Sequence, residues 1–203
     1  MQSAIEICNA ALTTYLGTQS IVSLEAPSPE AEACKLHYDR VRRSLLERWP
    51  WLWASRREVL VQEAINDRAP AWSFKYARPG HLLRIQWVNE PIAARHAFEG
   101  GQSQDTPREV TAKAIYSDTA GAVIEYTRDE KDTTLFSAAF SDALAASLAA
   151  AIAMAIKTDR PTKQDAQRDA QMLLNQAMAD DFNQRPAREM VPLPDSLAVR
   201  GLR

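Results

Sequence analysis

Apolar residues recur at helical steps near both ends of this chain and at strand-like steps in its middle. Ile5, Cys8, Leu12 and Tyr15 lie three or four apart behind Ser3 and Glu6, an S-x-x-E capping box. Gly17 suits a left-handed stop, so the first helix runs from about Ser3 to Gly17. A loop with apolar teeth, Ile21, Val22 and Leu24, follows. Ser28 then caps a second helix, with Pro29 in its first turn and Glu30 and Glu32 at its positive end. Cys34, Tyr38, Val41, Leu45 and Trp49 share one face of it, and Arg40, Arg43 and Arg48 lie off that face. Pro50 ends the helix near Arg48.

From Trp51 to about Tyr126 the pattern is one of short strands. "RREVLVQEA" alternates in part, "AINDRAPA" reads as a turn, and an apolar strand spans Leu83 to Val88 after a Pro-Gly turn. "TAKAIYS" and "AVIEYTR" flank "DTAG", which suits a hairpin. The helical period returns near Leu135, with Phe140, Leu144, Leu148, Ile152 and Ile156 at steps of four among alanines. After "TDRPT", Thr162 with Asp165 opens another helix, with Ala166, Ala170, Leu173, Leu174 and Ala177 on its apolar face. Three prolines, Pro186, Pro192 and Pro194, make the end an extended tail. That tail still carries Met190, Val191, Leu193, Leu197 and Val199, which a solvated linker would not need; they point to docking on a partner.

The fold class that follows is mainly α. A bundle of about four helices carries a small inserted antiparallel β-sheet and ends in an extended C-terminal tail. Residues 1–50 form an N-terminal helical hairpin, 51–133 the inserted β-rich region, 134–182 a second hairpin and 183–203 the docking tail.

Composition narrows the chemistry. The 203 residues are 46% hydrophobic and 25% charged, enough for a core. A formal net charge of −2 argues against holding nucleic acid by bulk charge. Two cysteines, Cys8 and Cys34, fall on apolar helical positions and read as small buried hydrophobes in a reducing compartment. The N-terminus lacks the basic and apolar regions of a signal peptide. "AAFSDALAASLAAAIAMAIK" is long enough to cross a bilayer, but its alanines, Asp142 and serines read as a tightly packed helix of a soluble body, with no membrane partner.

No catalytic motif stands out. His37, His81 and His96 are isolated, no metal spacing or phosphate loop occurs, and no cofactor is implied. Carboxylate pairs for a cell-wall (peptidoglycan) hydrolase would have to come from Glu25, Glu30 and Glu32, or from Asp129, Glu130 and Asp132; these read better as helix-start and loop charges. Trp49, Trp51 and Trp53 with Arg40, Arg42, Arg43, Arg48, Arg56 and Arg57 could serve a nucleic-acid-binding module. Asp39, Glu47 and Glu58 are interleaved, however, and Asp39–Arg43 and Arg43–Glu47 make i,i+4 pairs. The tryptophans therefore read as a structural junction with Trp51 or Trp53 mostly buried, and Arg40, Arg43, Glu47, Arg56 and Arg57 as possible subunit-interface charges.

An ordered series of residues resembles the tailed-phage head-to-tail adaptor (connector) family, of the tail tubular protein A-like kind. It comprises Asn9, Ala11, Leu12, Leu16 and Gly17; Val22, Ser23 and Leu24; Tyr38; and Trp51, Trp53, Ala54, Arg57 and Leu60. Tyr76, Pro79, Leu83 and Arg84, and then Phe140, Leu144, Leu148 and Ala149, continue it, so that residues 5 to 180 are covered. The resemblance implies a virion protein of the neck, made in the bacterial host cytoplasm and without catalysis. It implies a ring of neighbouring copies, about twelve, between the portal protein and a tail nozzle protein, with DNA passing through the lumen. About twelve copies of a −2 chain would weakly repel that DNA and favour its passage. Arg185, Met190, Val191, Leu193 and Leu197 would dock the tail on the portal or a neighbour.

Overall fold

The computed structural model describes residues 3–91 and 106–184. Among them it is a mixed α/β protein, with four α-helices and two three-stranded antiparallel sheets rather than one small sheet. The docking residues Arg185, Met190, Val191, Leu193 and Leu197, and His96, lie outside the described residues.

Helix α1 spans Ala4–Ala10 behind the reciprocal Ser3–Glu6 capping box. It does not continue as α-helix to Gly17. Ala11–Tyr15 widen into a π turn, in which the Thr13 hydroxyl donates back to the Asn9 carbonyl and Thr18 N–H reaches the Leu12 carbonyl. The wider turn keeps both Leu12 and Leu16 buried. Gly17 then takes φ +57°, which a side chain would disfavour. Helix α2, Pro29–Arg48, starts at Ser28, whose hydroxyl accepts from Ala31 N–H, and stops where Trp49 turns extended before Pro50.

Helix α3 is Ala138–Ile156, capped by Ser137. Helix α4, Arg160–Asn183, is capped by Asp159 rather than by Thr162. Pro161 fits a first helical turn, so the helix opens ahead of it, and Thr162 gives its N–H and hydroxyl to the Asp159 carboxylate. Helix α3 is the described helix long and apolar enough to cross a membrane. Here it lies against α2, α4 and α1, with Phe140, Leu144, Leu148 and Ile152 fully buried. Its alanines let those neighbours approach closely, and each buried leucine or isoleucine contributes about 1.5–3 kcal/mol.

The strands are β1 (Ser55–Val59), β2 (Phe74–Ala77), β3 (Leu82–Asn89), β4 (Arg108–Val110), β5 (Ala114–Ser117) and β6 (Val123–Arg128). One sheet has the order β1-β6-β3 and the other β2-β5-β4. The "DTAG" turn therefore joins two sheets and makes no hairpin. Its polar groups find other partners: the Tyr76 hydroxyl donates to the Thr119 carbonyl and accepts from Ala122 N–H, while Leu60 N–H donates to the Ala122 carbonyl at 2.8 Å. In the second sheet Tyr76 faces Ile115 across β2 and β5.

The described residues of Met1–Arg56, His81–Arg84 and Tyr126–Arg185 form one compact unit, and those of Arg57–Gly80 and Ile85–Glu125 a second. The first, helical unit holds one continuous core that includes Leu12, Leu46, Trp51, Phe140 and Leu174. Cys8 and Cys34 are free thiols inside that core; the contact with Cys34 and burial push the Cys8 pKa far up, so it stays a neutral thiol.

Candidate functional site: a tryptophan corner, an arginine network and a cationic groove

The tryptophans sit in the helical unit at a break in the backbone. Trp51 begins a short 3-10 turn, Leu52–Ala54, so the chain is not an extended strand there. The turn nevertheless brings both indoles to one side, 6.0 Å apart and each edge-on to Phe140, at 5.0 and 4.9 Å. Trp51 is 0% exposed and donates from Nε1 to the Leu45 carbonyl, so it offers no face for a base to stack on. Trp53 is half-buried against Phe136. Trp49 Nε1 donates to the Asp181 carboxylate at 2.9 Å, and the other oxygen of Asp181 accepts from Leu52 N–H, also at 2.9 Å. Asp181 thus ties the end of α4 to the tryptophan corner, a role that hydrophobic patterning missed.

The second feature is an ion network around Arg42, which is 1% exposed and so cannot serve the nucleic-acid-binding patch that the sequence offers. Its Nη1 lies 2.8 Å from Asp129 Oδ1 and donates to the Glu130 carbonyl; Nη2 lies 3.2 Å from Asp39. Arg43 donates to Asp129 Oδ2 at 2.9 Å. The expected Asp39–Arg43 and Arg43–Glu47 pairs are therefore replaced by Asp39–Arg42 and Arg43–Asp129. Burial works to raise the Asp129 pKa, but the two guanidiniums outweigh it and hold the carboxyl below the usual carboxylate range. Glu130 is buried too, and its Oε1 accepts from Lys131 and Asp132 N–H at 3.0 Å. Asp129 and Glu130 are thus occupied in holding a loop against α2.

Asn9 and Arg84 close the scaffold elsewhere in this unit. The Asn9 amide donates to the Ile21 carbonyl at 2.9 Å and accepts from Ile21 N–H at 2.7 Å, which pins the loop before α2. Arg84 donates to the Glu47 and Arg48 carbonyls, both at 3.1 Å, and so caps the last turn of α2.

The third feature is a groove of about 560 Å³ in the helical unit. Its walls are α2, from Arg40 to Arg48, and α4, from Lys163 to Leu174; Ser147, Ala150 and Ala151 of α3 form its floor. The lining contains Arg40, Arg48 and Lys163 but no carboxylate. Arg40 meets His37 Nδ1 at 3.0 Å, and none of the three cations has an acidic partner among the described residues.

Of the interface charges read from the sequence, Arg40 lines the groove, Arg43 is paired with Asp129, and Glu47 and Arg56 are exposed. Arg57, in the second unit, pairs with Glu125 at 2.6 Å and stacks over Trp87 at 4.8 Å. Among the described residues no group of three or more His, Cys, Asp or Glu is placed to hold a metal ion. No protein-family model and no curated protein matches the chain.

Proposed function

We propose that this chain is a structural subunit of a head-to-tail adaptor ring, joining a portal protein to a tail nozzle and letting DNA pass through its lumen. In this reading the four helices form a bundle that is the body of the subunit, and the strand-rich segment is inserted between α2 and α3. The tail from about Arg185 docks on the portal or on a neighbouring copy.

The observation that carries the reading is what the polar residues of the motif series do. Asn9 clasps the loop at Ile21 through both ends of its amide, and Arg84 caps α2. Both side chains are spent on the scaffold, as a protein whose task is shape would spend them. Phe140, Leu144, Leu148 and Ala149 of the same series build the core around Trp51. Arg40, Arg48 and Lys163, which have no acidic partner among the described residues, line one groove and suit contacts between copies, where rim charges set register and encounter.

The test is native mass with and without the cognate portal. The chain alone is expected to associate weakly, and the portal to gather a ring of about twelve copies. Removal of residues 186–203 should leave the body folded and weaken that capture. A chain that never adds to the portal would overturn the proposal, and capture unchanged by the truncation would remove the role of the tail.

A further inference from the structure

Helix α4 has the groove on one side and a surface of opposite charge on the other. Lys163, Gln167, Ala170, Gln171 and Leu174 face the groove. At about 100° per residue, Asp165, Asp169, Met172, Gln176 and Asp180 fall within about 80° of one another, roughly opposite those groove residues. All of them are exposed or half-exposed, Met172 at 62%. Asp165 pairs with Arg168 at the edge of this stripe, whereas Asp169 and Asp180 have no ion-pair partner among the described residues. Asp142 of α3 extends the acidic side. Burial, and then the charges of Asp142 and Asp169, raise the Tyr15 pKa, so both carboxylates stand around one phenol. The stripe offers carboxylates around an apolar tooth. The groove offers the reverse, small apolar residues, Ala150 and Ala151, under Arg40, Arg48 and Lys163. Burying either surface alone would strand charges, whereas burying them together pairs them.

We propose that the acidic stripe of α4 in one copy lies in the cationic groove of the next. A copy cannot make this contact with itself, because both surfaces belong to one helix and point away from each other. The contact is therefore between molecules. It joins two different surfaces, so it runs head to tail and ends only where a ring closes. At 1.5 Å per residue Asp169 and Asp180 lie about 17 Å apart along α4, and Arg40 and Arg48 about 12 Å apart along α2, a difference that flexible arginine side chains span. Met172 then sits over Ala150 and Ala151, whose small side chains leave it room. This rests on the ring-forming reading above and names its contact.

The experiment reverses each side and then mixes them. R40E/R48E/K163E gives a copy whose groove and stripe are both acidic; D169K/D180K gives one whose groove and stripe are both basic. All changed side chains are exposed or half-exposed, and circular dichroism establishes that each variant is folded. Sedimentation without portal is expected to show each variant associating at least roughly tenfold more weakly than the parent, and the equimolar mixture recovering association. A second arm leaves every charge in place. S44C/Q176C puts one thiol in the groove and one on the stripe, and diamide is expected to link it into a ladder of multimers that neither single variant forms, Cys8 and Cys34 being buried. Reversed variants that associate like the parent would overturn the proposal, as would a mixture that stays apart or a double-cysteine chain that gives no ladder. Duplex DNA held by the parent and released by R40E/R48E/K163E, with self-association unchanged, would assign the groove to nucleic acid and overturn it as well. Because no portal is present, failure here leaves portal capture standing, and failure of portal capture leaves this contact standing.

Discussion

Replacing Asp129 with alanine tests the arginine network. The substitution removes the carboxylate from a guanidinium that is 1% exposed, whose Nη1 lies 2.8 Å from it. Arg42 would keep the Glu130 carbonyl and the exposed Asp39, but its buried charge would lose its nearest counter-charge. Breaking one partner of such a pair costs about 3–5 kcal/mol, much of it the stranded charge. With a urea slope of about 2–3 kcal/mol per M, the midpoint falls by roughly 1–2.5 M. Unfolding is followed by tryptophan fluorescence, to which Trp49, Trp51 and Trp53 of the helical unit contribute together with Trp72 and Trp87 of the second unit. The double variant R42M/D129A removes both charges and is expected to lose less than about 2 kcal/mol, so the two changes are strongly non-additive. The pH dependence follows from the depressed pKa of Asp129. Its contribution is fully present above the unfolded carboxyl value near pH 4 and is lost as pH falls through the lower folded value. D129A should therefore flatten the acid branch of the stability curve. A loss under about 1 kcal/mol, or additive behaviour in the double variant, would refute the reasoning.

Other substitutions probe the rest of the helical unit. Burial pushes the Tyr38 phenol up to about 12, and its hydroxyl is buried without a hydrogen-bond partner among the described residues. Tyr38→Phe should therefore leave thermal stability equal or higher, and remove the late step from an alkaline absorbance titration. Asn9→Ala strands both Ile21 backbone groups and should cost about 1–3 kcal/mol in urea unfolding, with faster proteolysis between residues 18 and 28. Trp51→Ala opens a cavity beside Phe140 and should cost about 3–5 kcal/mol by the same measurement.

Local chemistry explains why much of the helical frame was legible in the sequence. The Ser3–Glu6 box, the Ser28 cap with Pro29, and the Pro50 stop each act within four residues, and the structure uses them all. The errors arose where the answer lies farther away. "DTAG" looks like a hairpin turn because its flanks look like strands, but which strand each flank pairs with is set by Tyr76 and Leu60, more than forty positions back. Nothing in a local window distinguishes a turn that folds back from one that crosses to another sheet.

Arg42 and Asp181 were missed for a different reason, and here the sequence held a signal. Arg42 is four residues after Tyr38 and three before Leu45; Asp181 is four after Ala177 and seven after Leu174. Both positions belong to apolar faces, and the structure buries both side chains. A reading that assigns faces by hydrophobicity skips a charged residue there, although the period that places its neighbours inside places it inside as well. A buried charge then needs a partner, and the partners are 88 and 132 positions away. The spacing could have shown that Arg42 and Asp181 are buried, while only the fold could show what satisfies them. The same logic separates Arg40, Arg48 and Lys163. They stand at the edge of the apolar faces, have no acidic partner among the described residues, and remain available to something outside the subunit.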